Sequence, residues 1–397
     1  MNITLISGHK KNWGAGASSV YLHLDRELQQ LGCHSHLFNL EDYMSGGLPS
    51  ALHKLTQAFS VEQKMLSQIE AADVVEVAGN IGWRLFEKLR STNLPKRPLL
   101  SVRLHGLEFK DEQARITEEI AHLAKLPRKY KLLTRHWTNW QEFKTIELAD
   151  LAICHTSREA DAIVTAGFKH ESAVKICPLG IEPTFIADRS HRAGVNKLLW
   201  WGSWIDRKGI STLPRAFELA VRQLPNLSLT IGGSGTSPEA VLNYFAPELR
   251  ARITVLPFVS EDEHKAILAA HDVFIFPSLS EGFGLALLEA MASGMPCITT
   301  LTGMYDWLEH GKNCYIVPMS APTAICDAIE RLSADLTFRR AIGDRARETA
   351  RMLSWQNFAN RTLEIYTEGI AGFKYEIAPL PTPPTPPTPP TPHPFVS

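Results

Sequence analysis

The sequence predicts an α/β protein with two doubly wound domains that face each other across a cleft. Three observations support this fold class. Short apolar runs rich in β-branched residues alternate with helical patterns along most of the chain, which is typical of βαβ units and parallel sheets. The polar stretch 181–196 interrupts this series, and a second series of strands begins after it. The length of 397 residues also exceeds the usual size of one domain.

The first series begins with a strand at residues 2–7 and a glycine-containing loop. A helix follows, in which apolar residues recur every three or four positions until Gly32 ends the pattern. The later strands of this series are predicted at 73–78, 98–104, 151–156 and 174–180. This order of elements predicts a first domain over residues 1–185.

The second series repeats the alternation of strand and helix. Its strands are predicted at 197–203, 227–233, 253–258, 273–278, 296–300 and 314–317. Helical patterns at 321–334 and 336–352 complete a second domain over residues 186–353. Another helical pattern begins after Ser354, a residue type that caps helices. Residues 379–397 are dominated by proline and threonine, which predicts a disordered, extended tail that is either an inert spacer or a ligand for an aromatic groove.

Composition excludes several classes of protein. The chain has 44% hydrophobic residues, 21% charged residues and a formal net charge of −1, which argues against a nucleic-acid-binding protein that relies on a basic surface. No apolar run approaches the length of a membrane span, and the basic residues follow the first apolar run instead of preceding it as in a secretory signal. The six cysteines form no CxxC pair, so we expect buried free thiols in the cytoplasm.

The stretch SEGFGLALLEAMASG at 280–294 contains the main chemical signal. Glu281 follows a predicted strand, Gly284 lies where a helix begins, and Glu289 lies one to two turns further on. A helix N-terminus attracts phosphate, and carboxylates accept hydrogen bonds from hydroxyls, so a nucleotide sugar fits this pattern. A packing helix with an exposed Glu289 is the equally weighted alternative from periodicity alone.

The stretch EGFGLALLE resembles the E-x7-E motif of retaining glycosyltransferases of family 4. Three other blocks also resemble this family: WWGSWIDRKGI, CPLGIEPTF and the N-terminal GAGASSVYLHLDRELQQLGCHSHLF. The four matches occur in the family's order between residue 14 and about residue 310, which is more specific than a single glycine loop. The resemblance implies the GT-B fold, with two Rossmann-like domains and a helix at 354–372 that crosses back to the first domain. It also implies transfer, with retention, from a nucleotide diphosphate sugar to a glycan or a lipid-linked acceptor in cell-surface polysaccharide synthesis.

The resemblance also implies roles for individual residues. Glu281 would bind sugar hydroxyls and Glu289 the ribose, while Arg207 and Lys208 would hold the diphosphate in place of a metal ion. Cations fixed beside a leaving diphosphate stabilise the transition state more than the ground state. No DxD-like acidic cluster supports a metal site. A solvated charged turn is the alternative for Arg207 and Lys208.

His105 resembles the family's histidine beside the transferred sugar, although Gly106 stands where the family has an acidic residue. It ends a predicted strand that faces the cleft; the alternative is a structural histidine. The resemblance implies further contacts with the donor. Some come from loops in both domains, and others from residues around the E-x7-E motif. They are Gly16, Gly202, Ser203, Phe258, Val259, Gly282, Phe283, Gly284 and Leu285. Gly16 has no side chain and would let the backbone approach the phosphates closely; an ordinary turn between strand and helix is the alternative.

Two other functions and one further contact remain open at this stage. A nucleotide-sugar-binding scaffold without activity would carry the same binding residues. An NAD-dependent oxidoreductase shares paired Rossmann-like domains, but the first loop lacks GxGxxG. The basic and aromatic segment 121–143 is a candidate for peripheral contact with the inner face of the membrane, or else a solvated helix packed on the first domain.

Overall fold

The computed structural model describes residues 1–11, 16–44, 50–69, 71–94, 96–110, 135–190 and 194–373. Three regions with predictions lie wholly or partly outside this range: the glycine loop before Gly16, residues 121–134 of the basic segment, and the tail at 379–397. Among the described residues, none forms a helix with the length and the apolar composition that a membrane span needs.

The first sheet is parallel and has the strand order β2-β1-β3-β4-β5-β6. Its strands are β1 (Asn2–Ile6), β2 (His34–Phe38), β3 (Val74–Ala78), β4 (Leu99–Arg103), β5 (Leu151–Cys154) and β6 (Val174–Ile176). The sequence analysis missed β2. This strand lies at the edge of the sheet and none of its side chains is fully buried, so it has no continuous apolar run.

The second sheet is also parallel, with the order β12-β11-β10-β7-β8-β9. Its strands are β7 (Lys197–Trp201), β8 (Ser228–Gly232), β9 (Ile253–Leu256), β10 (Val273–Phe276), β11 (Cys297–Thr299) and β12 (Tyr315–Ile316). The strand order reverses between β7 and β10. Ligands of open α/β sheets bind outside the carboxyl ends of the strands at such a point, so the loops after β7 and β10 are the expected site.

Helices cover both sheets, as the alternation of patterns predicts. They are α1 (Gly16–Gln30), α2 (Leu40–Tyr43), α3 (Ser50–Met65), α4 (Trp83–Ser91), α5 (Arg135–Leu148), α6 (Ser157–Thr165), α7 (Leu213–Gln223), α8 (Pro238–Leu242), α9 (Glu261–Ala270), α10 (Leu285–Ala292), α11 (Pro322–Ala334), α12 (Leu336–Arg351) and α13 (Trp355–Phe373). Helix α5 contains residues 135–143, the described part of the segment 121–143. Its half-exposed Trp140 ring packs edge-on against Trp83, with 4.9 Å between the ring centroids. These two rings pack α5 against α4, and contact of the segment with a membrane stays a prediction.

The last helix, α13, begins in the second half of the chain and packs on the first sheet. Ser354 caps it by accepting a hydrogen bond from the backbone N–H of Asn357, at 3.0 Å. Near its end, the Tyr366 hydroxyl donates to the buried Glu76 of β3 at 2.7 Å. A Cβ atom on Gly369 would lie within 3 Å of the side chains of Leu99 and Leu151. The helix therefore ties the chain's C-terminal part to the centre of the first sheet.

A second contact between the two halves lies at the N-terminus of α6. The carboxylate of Asp306 accepts hydrogen bonds from the backbone N–H of Ser157, at 2.8 Å, and from its hydroxyl. The Arg158 guanidinium donates to the carbonyl oxygen of Leu301 at 2.8 Å. A carboxylate at a helix N-terminus is electrostatically favourable, so this contact holds the loops of the two sheets together.

Candidate active site

The loop after β7 and the loop after β10 meet at the point where the strand order reverses. A short 3₁₀ turn over Asp206–Lys208 carries the two cations, and Gly209 ends it with a φ of 72°. A Cβ atom on Gly209 would lie 2.1 Å from the carbonyl oxygen of Pro277, so only glycine allows this approach. The backbone N–H of Leu279 also donates to the carbonyl of Arg207 at 2.8 Å. These backbone contacts fix the cations beside the segment that carries Glu281.

The Glu281 carboxylate lies at the centre of a compact ion-pair cluster. Its side chain is 5% exposed; the Lys208 ammonium lies 2.6 Å from one carboxylate oxygen and the Arg207 guanidinium 3.4 Å from the other. The Ser278 hydroxyl donates to the same carboxylate at 2.8 Å. Burial alone would raise the pKa of Glu281, but the charges of Lys208 and Arg207 and the hydrogen bonds from Lys208 and Ser278 together lower it.

This cluster differs from the separate roles that the resemblance implies. The sequence-based expectation gave Glu281 to a sugar and the two cations to a diphosphate, whereas in the structure the three side chains contact one another. The expectation and the contact are compatible, because an ammonium has three N–H donors and can bind a carboxylate and a phosphate together. The Lys208 ammonium also lies 5.2 Å from the centre of the Phe276 ring, a distance at which the face of the ring attracts a cation.

The first sheet reaches this cluster through His105, just beyond the end of β4. A Cβ atom on Gly282 would lie 2.4 Å from the carbonyl carbon and oxygen of His105 and 2.6 Å from the backbone nitrogen of Gly106. The two backbones therefore touch, and only a residue without a side chain fits between them. His105 is placed beside the residue that follows Glu281, as the position of both at strand ends predicts.

Glu289 lies on α10, which begins after Gly284 (φ 90°). Its side chain is 23% exposed, and one carboxylate oxygen lies 3.9 Å from Nδ1 of His264. Burial, with a smaller contribution from the charge of Glu261, raises the pKa of Glu289 to about 8, while the charge of Lys208 acts in the opposite direction. Lys208 thus acts electrostatically on both glutamates of the motif.

The raised pKa of Glu289 leads to a measurable pH dependence of stability. Between about pH 4.5 and pH 8 the folded protein keeps a proton on Glu289 that the unfolded chain has lost, so stability falls as the pH rises. We expect Glu289→Gln to remove this contribution. The free energy of unfolding of the variant, minus that of the original chain, should therefore increase between about pH 5 and about pH 9 in urea titrations. A constant difference over this range would contradict the raised pKa.

The structure brings some of the other predicted residues to the cluster and leaves others apart. Phe283 is buried beside the motif, and a Cβ atom on Gly202 would lie 3.6 Å from the Lys208 side chain. Phe258 is 86% exposed and lies after β9, two strands away from β7, with Val259 next to it. The donor contacts of three further residues stay predictions: Gly16 at the start of α1, the exposed Ser203, and Leu285 at the start of α10.

Three residues of the site escaped the sequence analysis: Ser278, Phe276 and His155. Ser278 and Phe276 belong to the strand-end run FIFPS, where a hydroxyl and a ring have no signal that separates them from core positions. His155 follows β5, and its Nε2 atom lies 3.2 Å from Nδ1 of His105. The described residues contain no group of three or more His, Cys, Asp or Glu side chains that could hold a metal ion.

Comparisons with known proteins agree with this architecture. Residues 195–335 match the family model described as Glycosyl transferases group 1. An uncharacterized glycosyltransferase from Methanocaldococcus jannaschii is 30% identical over 43% of this chain and 44% of its own length. A D-inositol 3-phosphate glycosyltransferase from Paenarthrobacter aurescens is 27% identical over 58% of this chain and 60% of its own length. The chain thus matches less than two thirds of the length of these relatives.

Two solved structures extend the comparison to nearly the whole chain. Sucrose-phosphate synthase from Thermosynechococcus elongatus superposes with a TM-score of 0.76 at 18% identity, covering 94% of this chain and all of the other. The Anabaena protein HepE, solved in complex with UDP, superposes with a TM-score of 0.65 at 14% identity, covering 93% of this chain and all of the other. At these identities the likeness identifies the fold alone. The chain therefore has the α/β GT-B fold that the sequence predicts, and its residues 195–335 match the family model of the Glycosyl transferases group 1.

Proposed function

We propose that the chain is a glycosyltransferase of the family 4 type that moves a sugar from a nucleotide diphosphate sugar to a glycan or a lipid-linked acceptor. The observation that carries this proposal is the cluster of Lys208, Arg207 and Glu281 at the reversal point of the second sheet, with His105 of the first sheet beside it. The match of residues 195–335 to a glycosyltransferase family supports it further.

The two cations give the cluster its chemical role. When the bond between the sugar and the diphosphate breaks, negative charge grows on the diphosphate. Lys208, 13% exposed, and Arg207, 27% exposed, are fixed by backbone contacts and partly shielded from water, where a cation stabilises developing charge best. We therefore assign the leaving diphosphate to these side chains and propose that the reaction needs no metal ion.

The two glutamates and His105 would orient the rest of the donor. Glu281 contacts both cations, and the residue after it touches the His105 backbone, so a sugar attached to the diphosphate would lie beside the Glu281 carboxylate. Glu289 lies further along α10 and would accept hydrogen bonds from the ribose hydroxyls. Ionisation of Glu289 strengthens that acceptance, so ribose binding would oppose the high pKa of this carboxyl.

The acceptor would enter from the side of the first sheet, and the anomeric configuration would be retained. We assign no protein side chain as nucleophile. In a front-face reaction the acceptor hydroxyl attacks from the side of the departing diphosphate. The diphosphate oxygen takes the hydroxyl proton as the base, and the two cations stabilise the negative charge of the leaving group. Closure of the two halves, as in the contact between Ser157 and Asp306, would exclude water from the reacting sugar.

A thermal-shift panel tests the proposal. We expect one of UDP, GDP and ADP, and a sugar derivative of the same nucleotide, to raise the melting temperature of the chain in buffer that contains EDTA. Hydrolysis of that nucleotide sugar, or transfer to an added glycan, should then be detectable without metal. Absence of any shift would contradict nucleotide-sugar binding, a shift without turnover would indicate a binding scaffold, and activity lost in EDTA would contradict the metal-free mechanism.

A further inference from the structure

His155 lies directly behind His105, in a buried row that ends on a backbone carbonyl. Its Nε2 atom is 3.2 Å from Nδ1 of His105, and its own Nδ1 atom is 2.9 Å from the carbonyl oxygen of Cys177. The side chain of His155 is fully buried, with the Phe283 ring edge-on to it, 6.2 Å away between centroids. The row thus runs from β6 through His155 to the histidine beside Glu281.

The carbonyl at one end of the row fixes the proton on each ring. A carbonyl oxygen can only accept, so Nδ1 of His155 carries a proton and donates to Cys177. Nε2 of the neutral His155 ring is then a lone-pair acceptor, and Nδ1 of His105 must be the donor to it. The opposite tautomers would place a nitrogen lone pair against the carbonyl lone pairs of Cys177. Nε2 of His105 is therefore an acceptor.

Both rings stay neutral at physiological pH, which this order of protons requires. Burial, assisted by the charge of Arg103, lowers the pKa of His155 to about 3. Burial also holds the pKa of His105 well below its usual value, with smaller contributions from His155, His9 and Arg103. Neither ring therefore acquires a second proton that would turn the outer nitrogen of His105 into a donor.

The outer nitrogen of the row has no protein partner in the described part of the chain. Nε2 of His105 is buried and makes no hydrogen bond to any described residue. Burying an acceptor without a partner costs free energy, so such atoms in native proteins call for an explanation, and a ligand donor is one. The backbone of His105 touches that of Gly282, the residue after Glu281, so the sugar assigned to Glu281 is the candidate donor to this acceptor.

We propose that His155 is a positioning residue that fixes His105 in the tautomer whose Nε2 atom accepts a hydrogen bond from a hydroxyl of the transferred sugar. This inference rests on the proposed function for the identity of the donor, but the order of protons belongs to the protein alone. It also implies selectivity: a sugar that lacks this hydroxyl leaves a buried acceptor unsatisfied and binds more weakly.

The tautomer can be observed directly in the protein without ligand. We expect nitrogen-15 NMR of histidine-labelled protein to show His105 protonated on Nδ1, although a neutral histidine side chain in water prefers the proton on Nε2. The variant His155→Asn keeps an amide N–H near the position of Nδ1, for Cys177, and has no atom at the position of Nε2. In this variant His105 should shift towards the Nε2-protonated form. His105→Gln identifies the signals, and an Nε2 proton on His105 in the unmodified chain would refute the proposal.

Binding measurements separate positioning from a general structural effect. Calorimetric titrations would use UDP, UDP-glucose and UDP-N-acetylglucosamine, or the corresponding GDP or ADP compounds if the panel above selects them. We expect His155→Asn to weaken binding of the nucleotide sugar about fivefold and to leave binding of the nucleotide diphosphate unchanged. His170→Asn, at an exposed position of the same half of the chain, is the matched control and should change neither.

The outcomes of the two measurements are distinct. Equal weakening of the nucleotide and the nucleotide sugar, or an unchanged His105 tautomer in His155→Asn, would refute the positioning role. Failure of every nucleotide sugar to bind the unmodified chain would refute the proposed function instead, and the NMR measurement would still decide the tautomer of His105.

Discussion

Replacing Lys208 with methionine is expected to lower the rate of sugar transfer by about 100-fold to 1000-fold, the usual cost of removing one preorganised charge stabiliser from an active site. The methionine keeps much of the length and apolar contact of the lysine stem. It removes the ammonium that lies 2.6 Å from Glu281 and that would neutralise the leaving diphosphate. Because the ammonium acts most on the transition state, kcat should fall more than the affinity for the nucleotide sugar.

The same substitution also acts on the protein itself, and this effect must be measured separately. Without Lys208 the buried Glu281 carboxylate retains Arg207 and Ser278 as partners, so its pKa should rise towards the usual range and stability should fall moderately. Lys312→Met is a matched control because this lysine is 71% exposed and pairs only with a neighbouring surface residue in the part of the chain that is described. Transfer by the control should be unchanged.

Two results would contradict the role of Lys208. One is a Lys208→Met variant that is folded, as thermal unfolding would show, and that transfers sugar at the original rate. The other is an equal loss of rate in Lys312→Met. If Lys208→Met does not fold, Arg207→Gln gives the same test with a milder structural effect, because Arg207 is 27% exposed and contributes the longer contact, at 3.4 Å. We expect a smaller but clear fall of kcat in that variant.

The periodicity of the sequence predicted the architecture well because parallel strands buried on both faces are continuous apolar runs. In the described part of the chain, eleven of the twelve strands coincide with predicted runs, and the helices α11 (Pro322–Ala334) and α12 (Leu336–Arg351) lie within a residue of their predicted bounds. The exception is β2 (His34–Phe38), whose polar edge position gives no such run. Periodicity indicates which faces of an element are buried. An edge strand with a half-exposed face therefore has only a weak apolar pattern in the sequence.

The candidate site was predictable only as separate motifs. The sequence indicates that Glu281 and Lys208 both follow strands, but they are 73 positions apart, and their direct contact depends on the neighbouring positions of β7 and β10. The row of His105, His155 and the Cys177 carbonyl is invisible for the same reason. Each of its members follows a different strand, and no local pattern distinguishes a histidine that orients another ring from one that fills the core.

The second large effect concerns the buried charge pair that joins the last helix to the first sheet. Glu76 of β3 and Arg103 of β4 are both completely buried and 2.6 Å apart. Tyr366 of α13 donates to Glu76 at 2.7 Å, and the Arg103 guanidinium donates to Thr362 at 3.0 Å. Removing one member of a buried pair leaves an uncompensated charge, so we expect Arg103→Met to reduce the free energy of unfolding by about 3–5 kcal/mol. Urea titrations would measure this change.

Removing both charges together shows why Arg103→Met loses stability. The cause is either the unpaired charge that remains on Glu76 or the loss of a pair that is itself favourable. The double variant Glu76→Leu, Arg103→Met has no buried charge, so most of the lost stability should return, and Tyr366→Phe should improve it further by removing a hydroxyl that has lost its acceptor. A double variant that is less stable than Arg103→Met would show that the pair itself is net favourable. Because His105 follows Arg103 by two residues, the single variant should also loosen the end of β4. We therefore expect it to weaken binding of the nucleotide sugar more than that of the nucleotide, which ties the anchoring of the last helix to the geometry of the sugar site.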